Sequence, residues 1–414
     1  MSKKPALHLF EGYGIELEYM LVSSRSLDIL PISDKVLRSK TGRYVNEFAN
    51  GDAGWSNEFV LHVMEIKNNN PAPSLSGLGR IFQEQVTQIN RLLGEWEGRL
   101  MPTAMHPWMD PERETRFWDH RNRKIYETYD RIFGCKTHGW ANIQSIHLNL
   151  SFSGDEELGR LHAALRLLLP LVPALAASSP VVEGKVTRSI DNRLSFYRRN
   201  QLLVPSISGD IIPEAIFTRA EYENRVLKIM YKDISRYDKD GVLQHEWLNS
   251  RGAVPRFERS AIEVRLADIQ ECPSADIAIA AAMSAVLKAL IRNRWSSRQE
   301  QAAWPVGPLI SILDKTVRSG EAAIIKNARF LKTFGYPEKQ ATAADLWRHL
   351  SEESFEKETV SDHSLIKPLQ LILDKGTLAR RILKSAGKNP SHTCLHEVYG
   401  ELCDCLAEGR LFEG

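Results

Sequence analysis

The stretch GIELEYMLV, residues 14–22, decides the fold. Its apolar residues Ile15, Leu17 and Tyr19 alternate with Glu16 and Glu18, and successive side chains of an extended chain point to opposite faces. This period of two predicts a β-strand with one face for a core and a pair of carboxylates on the other. Two residues' rise sets the carboxylates ~6.6 Å apart. At an effective dielectric constant of about 20 they repel by roughly 2.5 kcal/mol. A hard divalent cation such as Mg²⁺, which favours carboxylate oxygens, relieves that repulsion. Taken alone, the pair is better explained by a solvated outer face.

Three further segments repeat the pattern. In FVLHVMEIKNNNP, residues 59–71, Glu65 interrupts an apolar run that ends at an Asn-rich turn. A buried acid there is costly without a partner, and Lys67 offers one at the strand end. In NIQSIHLNLSF, residues 142–152, Ile146, Leu148 and Leu150 alternate with His147 and Asn149, which therefore project together. In SAIEVRLADIQECPS, residues 260–274, Ile262, Val264 and Leu266 face a core while Glu263 and Arg265 face away. Singly, a cross-strand salt bridge or a satisfied structural histidine accounts for each. Together they collect hard-metal ligands and one fixed cation on one face of a curved sheet, where a solvated face would carry a mix rich in Lys and Thr.

The hydrophobic period changes near residue 275. Before it, short alternating segments separated by Gly, Pro, Asn and Asp clusters predict a mixed α+β domain. Helical spacing over 75–100 and 156–177 predicts helices covering one sheet face, and the Ala-rich 275–292 predicts a further buried helix. After about residue 296 only amphipathic helical patterns occur. The expected division is thus a catalytic domain over 1–295 and a helical C-terminal region over 296–414.

The segments GIELEY, MEIKNNNP, SIHLNL, LAASSPVVEGKVTRSIDNR and IEVRLAD, in this order, resemble the second glutamate-cysteine ligase family, carboxylate-amine ligases related in fold to glutamine synthetase. The likeness covers about residues 10–290. It implies a curved, mainly antiparallel sheet covered by helices. It further implies that Glu16, Glu18, Glu65, His147 and Glu263 surround Mg²⁺ or Mn²⁺ ions, and that Glu16, Glu18, His147, Asn149 and Arg265 contact metal-bound ATP, with Glu263 and Arg265 catalytic. Glu58, in GWSNEFV, is a further implied ligand, because related ligases carry an acid several residues upstream of the Glu65 position. Its odd separation from Glu65 sets the two on opposite faces of one straight strand, so a bulge or an earlier start is required. The implied reaction joins a glutamate-type γ-carboxyl to an amine such as that of cysteine through an acyl phosphate, releasing ADP and phosphate.

Substrate carboxylates call for bidentate cations, and Arg188, Arg193 and Arg199 are the candidates, with Arg198 beside them. Arg188 stands where the family has a small residue. Two other readings stay open: a phosphotransferase of the guanidino-kinase type, and a non-catalytic binding subunit.

Composition bounds the rest. The chain has 414 residues, 43% hydrophobic and 26% charged, with 54 Lys plus Arg against 52 Asp plus Glu, close to globular averages. A net charge of +2 supplies no global field for nucleic acid or an anionic membrane, so small-molecule amino acid or carboxylate substrates are the expected partners, with homo-oligomerisation left open. GxxxxGK[ST], GxGxxG before a helix, HExxH and GxSxG are absent, which removes the motifs for phosphate-loop, dinucleotide, zinc-protease and serine-hydrolase chemistry. The opening MSKKPALHLFEGYG is too short in apolar residues for a signal peptide, and five cysteines at no framework spacing fit a reducing compartment, so the cytoplasm is expected. The C-terminal HTCLHEVYGELCDC raises a zinc question, but Cys403 and Cys405 do not share a helix face, and a helical core is the expected reading.

Overall fold

Strand β1, Tyr13–Ser23, forms where the alternation predicts it, and Ile15, Leu17 and Tyr19 are fully buried. The computed structural model describes residues 7–355 and 362–414; the basic start of the opening segment lies outside the described residues. The length of β1 lets it serve three neighbours, all antiparallel. It pairs with β6 (Ser145–Ser151) along Tyr13 to Leu17, with β4 (Val63–Asn68) along Glu16 to Met20, and with β5 (Gly98–Met101) along Met20 to Ser23. With β2 (Glu47–Asn50), β3 (Ala53–Asn57), β9 (Ala253–Arg256) and β10 (Ala261–Asp268), the eight-stranded sheet runs β2-β3-β4-β1-β6-β10-β9, with β5 beside β1. A small separate ribbon joins β7 (Val181–Val182) to β8 (Lys185–Val186). Gly14 stands opposite Asn149, where an added Cβ would lie 3.0 Å from the Asn149 Cβ, so the absence of a side chain there lets β1 and β6 pair closely.

One sheet face is the core. Phe82, Val86 and Ile89 of the helix Leu78–Leu93, Leu161 and Leu165 of Gly154–Leu168, and Ile277 of Pro273–Ile291 bury in one cluster with Ile15, Leu17 and Tyr19. The helix Pro273–Ile291 is long and apolar enough to cross a membrane by length and composition, yet 89% of its most apolar window is buried inside the protein, as expected for a helix hydrophobic all round. The Tyr19 hydroxyl donates to Asp276 Oδ2 (3.3 Å), tying the strand to this helix.

Three sequence expectations are corrected. The helix expected over 75–100 ends at Leu93, because Gly94 and Gly98 break it and a short strand, β5, follows. The run from Phe59 to Lys67 is not one strand: β3 and β4 form a hairpin, and β4 starts at Val63. Beyond residue 296, Ile324–Ile325 pairs with Ala341–Thr342 as a two-residue ribbon where no strand is expected.

The C-terminal helices pack in two places. Leu309, Leu313, Trp347 and Leu369 join the core under the sheet. Leu395, Leu402, Cys403 and Cys405 of the helix His392–Glu408 bury instead against Met20 and Val22, which lie on the same face of β1 as Glu16 and Glu18. The polar face of the central strand is therefore roofed at one end by the chain's last helices.

Candidate functional site

Strand register brings the acids together. Glu18 stands opposite Glu65 across β1 and β4, Glu16 stands between Lys67 on β4 and His147 on β6, and Glu263 on β10 faces Asn149. Like charges directly opposite destabilise a sheet, so the arrangement needs compensation. Donor atoms of Glu16, Glu65 and His147 lie within 4.8 Å of one another, the only such group of His, Cys, Asp and Glu among the described residues. His392, Cys394, His396, Cys403 and Cys405 are not brought together in this way, and the two flanking histidines pack around the Trp108 ring.

Polar neighbours hold each ligand in place. His147 Nδ1 lies 3.0 Å from Glu16 Oε2, and Asn149 Nδ2 donates to Glu16 Oε1 (3.1 Å). The Ser145 backbone N–H and hydroxyl both donate to Glu18 Oε2, at 2.6 and 3.0 Å. The Ser56 hydroxyl donates to Glu65 Oε1 (2.6 Å), whose other neighbour is Lys67 Nζ at 3.4 Å. Arg256 grips Glu263 with two hydrogen bonds (2.7 and 3.0 Å), while Arg265 Nε sits 2.6 Å from Glu263 Oε1 as an ion pair without hydrogen-bond alignment.

Glu58 follows the end of β3 and lines the same cavity as Glu16, Glu18, Glu65 and Glu263. The parity objection dissolves, because Glu58 and Glu65 lie on different arms of a hairpin. Five carboxylates against Lys67, Arg256 and Arg265, which touch them, leave an excess of two negative charges when all are ionised and His147 is neutral. That donor set fits a hard divalent cation.

The titration behaviour follows from this crowding. Burial pushes Glu65 up to about 7, with the Glu16 charge adding to it. Burial, then Glu18, Glu65 and Glu16, push Glu58 well above the usual carboxylate range. Glu16 is held below its ordinary value: burial opposes ionisation, but the His147 hydrogen bond and the His147 and Lys67 charges outweigh it. His147 is raised, since its hydrogen bond to Glu16 and the charges of Glu18 and Glu16 overcome burial.

A pH dependence follows for the metal-free protein. Folded Glu65 holds its proton to about pH 7, whereas an unfolded one releases it near 4.5. The folded state therefore binds more protons over that window, and stability falls as pH rises through it, by up to about 3 kcal/mol. His147 and Glu58 act in the same direction. Thermal unfolding with a chelator should show Tm dropping from pH 5 to 7.5, and Mg²⁺ should raise Tm more at pH 8 than at pH 5. An unchanged slope in Glu65→Gln would remove Glu65 as the titrating group.

The arginine expectations divide. Arg193 is buried, with Nε 2.5 Å from Asp268 Oδ1 and both Nη atoms donating to the Arg265 carbonyl (3.2 and 3.3 Å). Arg188 and Arg199 are exposed and line neither the acid cavity nor its neighbour. Arg198 is engaged by Asp314.

Two participants escaped the sequence patterns. Asp268 escaped because three steps on β10 span two on β6 between Val264 and Ala267, a bulge that returns Asp268 to the site face opposite Ser145. Arg256 escaped because its strand, AVPR, contains a proline, tolerated since β9 is an edge.

Cavity size does not select the site. A larger cavity, about 740 Å³, lies beside Tyr13 and Lys288 and contains none of the acid set. The acid cavity measures about 510 Å³, and a neighbour of about 390 Å³ shares Glu18, Glu58, His147 and Arg265 with it.

Comparison with known proteins places the chain in a family and a fold. The model of a family described as glutamate-cysteine ligase family 2 matches residues 13–403. An uncharacterised protein of Archaeoglobus fulgidus is 35% identical over 399 residues, 96% of this chain and 99% of its own length. A protein of Corynebacterium efficiens, provisionally named glutamate–cysteine ligase 2-1, is 25% identical over 272 residues, 64% of this chain and 62% of its own. The crystal structure of a glutamate–cysteine ligase from Francisella tularensis in complex with AMP shares the fold, with a TM-score of 0.59 at 13% identity over 98% of this chain and 90% of that one. The family match extends beyond the motif-bearing residues into the C-terminal helices.

Proposed function

We propose, from the premise that the chain belongs to glutamate-cysteine ligase family 2, that it forms an amide, with a glutamate-type γ-carboxyl as donor, through an acyl phosphate made at the acid cavity. Membership makes it an ATP-dependent carbon–nitrogen ligase. The observation that supports the finer reading is the single sheet face carrying Glu16, Glu18, Glu65, His147, Glu263 and Arg265.

Glu16, Glu65 and His147, with Glu18, Glu58 and Glu263 around them, would hold Mg²⁺ or Mn²⁺, and such an ion would supply positive charge to offset the phosphates of ATP. Arg265 adds a fixed cation there, and Arg256 keeps Glu263 oriented beside it. The donor carboxylate oxygen attacks the γ-phosphorus, the bond to the β-phosphate oxygen breaks, and ADP leaves. An amine nitrogen then attacks the acyl carbon, the carbon–oxygen bond to phosphate breaks, and one proton passes to solvent. Ser145, Asn149 and Ser56 fix the carboxylates beforehand, so little reorganisation remains during the reaction.

The test is purified protein with Mg²⁺-ATP and a pool of amino acids and amines, with ADP, free phosphate and new masses followed together. One phosphate released per amide formed is the expected result. ADP formation with a phosphorylated product and no free phosphate would replace the ligase by a phosphotransferase.

A further inference from the structure

The cavity of about 390 Å³ beside the acid cluster has a composition of its own. Its walls include Phe59, Tyr126, Tyr129, Trp140, Tyr197 and Trp247. Five of these rings form a connected layer: Phe59 to Tyr126 at 5.3 Å and to Tyr129 at 6.3 Å, and Tyr129 to Trp140 at 5.3 Å and to Trp247 at 6.0 Å. They come from separate pieces of chain, the turn after β3, the helices Arg123–Phe133, His138–Ala141 and Asn192–Tyr197, and the turn Glu246–Leu248. The volume lies within the range of about 300–1,000 Å³ typical of cavities that enclose small ligands.

Charge decides what fits. Among the described lining residues the guanidinium groups are Arg193, paired with the buried Asp268, and Arg265, which stands at the junction with its Nε against Glu263 and turns toward the acid cavity. Glu18 and Glu58 stand where this cavity meets the acid cavity. A ligand carrying a carboxylate deep into the aromatic layer would find Arg193 already paired with Asp268 and the remaining cations, His147 and Arg265, only at the junction beside Glu18 and Glu58, an unfavourable desolvation. An amine has the opposite character: acids attract it, and aromatic faces bind both cations and apolar rings.

We infer that the aromatic cavity is the acceptor subsite, and that its amine is carried on an aromatic body, an arylalkylamine rather than a small amino acid such as cysteine, an assignment that rests on the ligase reading above. The neutral amine nitrogen reaches the acyl phosphate at the junction lined by Glu18, Glu58, His147 and Arg265, while the ring occupies the walls. The carbon–nitrogen bond forms as phosphate leaves with the electron pair of the broken carbon–oxygen bond.

Two measurements on the full chain test this. With Mg²⁺-ATP and glutamate, phenethylamine, tyramine and cysteine compete at equal concentration, and products are followed by mass. An arylalkylamide formed at least tenfold faster than the cysteine product is expected; a cysteine product formed as fast or faster overturns the acceptor assignment and leaves the ligase reading standing. Separately, tryptophan fluorescence is titrated with phenethylamine in the presence of Mg²⁺, glutamate and a non-hydrolysable ATP analogue. Saturable binding that weakens at least tenfold in Trp140→Leu is expected. No saturable binding to the wild-type protein overturns the inference, whether or not the variant folds. Saturable binding without phosphate release from any acceptor keeps the cavity assignment and overturns the ligase reading.

Discussion

Glu263→Gln should lower ATP-dependent phosphate release by about 10²–10³-fold, the scale of losing one preorganised electrostatic group in an active site. It should also destabilise the protein by about 3 kcal/mol, because removing one member of a buried ion pair leaves its partners uncompensated. The sequence alone predicts loss of turnover with the fold intact. The structure revises the second half, since Glu263 is 3% exposed and bound by Arg256 and Arg265 together. Burial opposes its ionisation, but the two guanidinium groups hold the carboxyl well below the usual range. The stability it contributes is therefore present above its unfolded value and lost only in strong acid, as pH falls through the depressed folded one. Adding Arg256→Gln should restore part of the stability and none of the turnover. Folded Glu263→Gln protein with activity within a factor of a few of wild type would remove Glu263 from the reacting phosphates.

Arg193→Ala should cost about 3–5 kcal/mol, because Asp268 is fully buried and loses the guanidinium that pairs with it. The loss should extend to chemistry. Arg193 donates to the carbonyl of Arg265 at the β10 bulge, and Asp268 accepts from the Ser178 N–H and the Ser179 hydroxyl, so these residues together aim the Arg265 side chain. Measured by urea unfolding, Arg193→Ala and Asp268→Asn should be far from additive, with a coupling of about 0.5–3 kcal/mol. Turnover is compared at a temperature where every variant is folded. A stability loss with unchanged turnover would confine the clamp to supporting the fold. Loss of turnover in the folded variant would assign Arg193 to positioning Arg265 in place of the expected direct recognition of a substrate carboxylate.

The sheet was legible wherever one face is apolar and the other polar. Glu16 and Glu18, His147 and Asn149, and Glu263 and Arg265 appear as pairs two residues apart on the face opposite Ile15, Ile146 or Ile262, and all of them line or support the acid cavity. Short elements were not legible. Strand β5 continues an apolar helical run, and Gly54 and Pro255 weaken the strand signal of β3 and β9. Arg188 and Arg199 show the converse limit: a basic run states that cations are present, not which cavity they reach.

Local alternation therefore determined which side chains of this protein leave the core, because a two-residue period is a property of the extended backbone and needs no partner. Which strands lie side by side, and so which acids meet, only the tertiary structure decided. Glu58 meets Glu65 through a hairpin, Asp268 returns to the site through a bulge, and the last helix closes the polar face over Met20 and Val22. Each depends on register or on packing between distant segments, and such contacts leave no period in the chain for a single sequence to display.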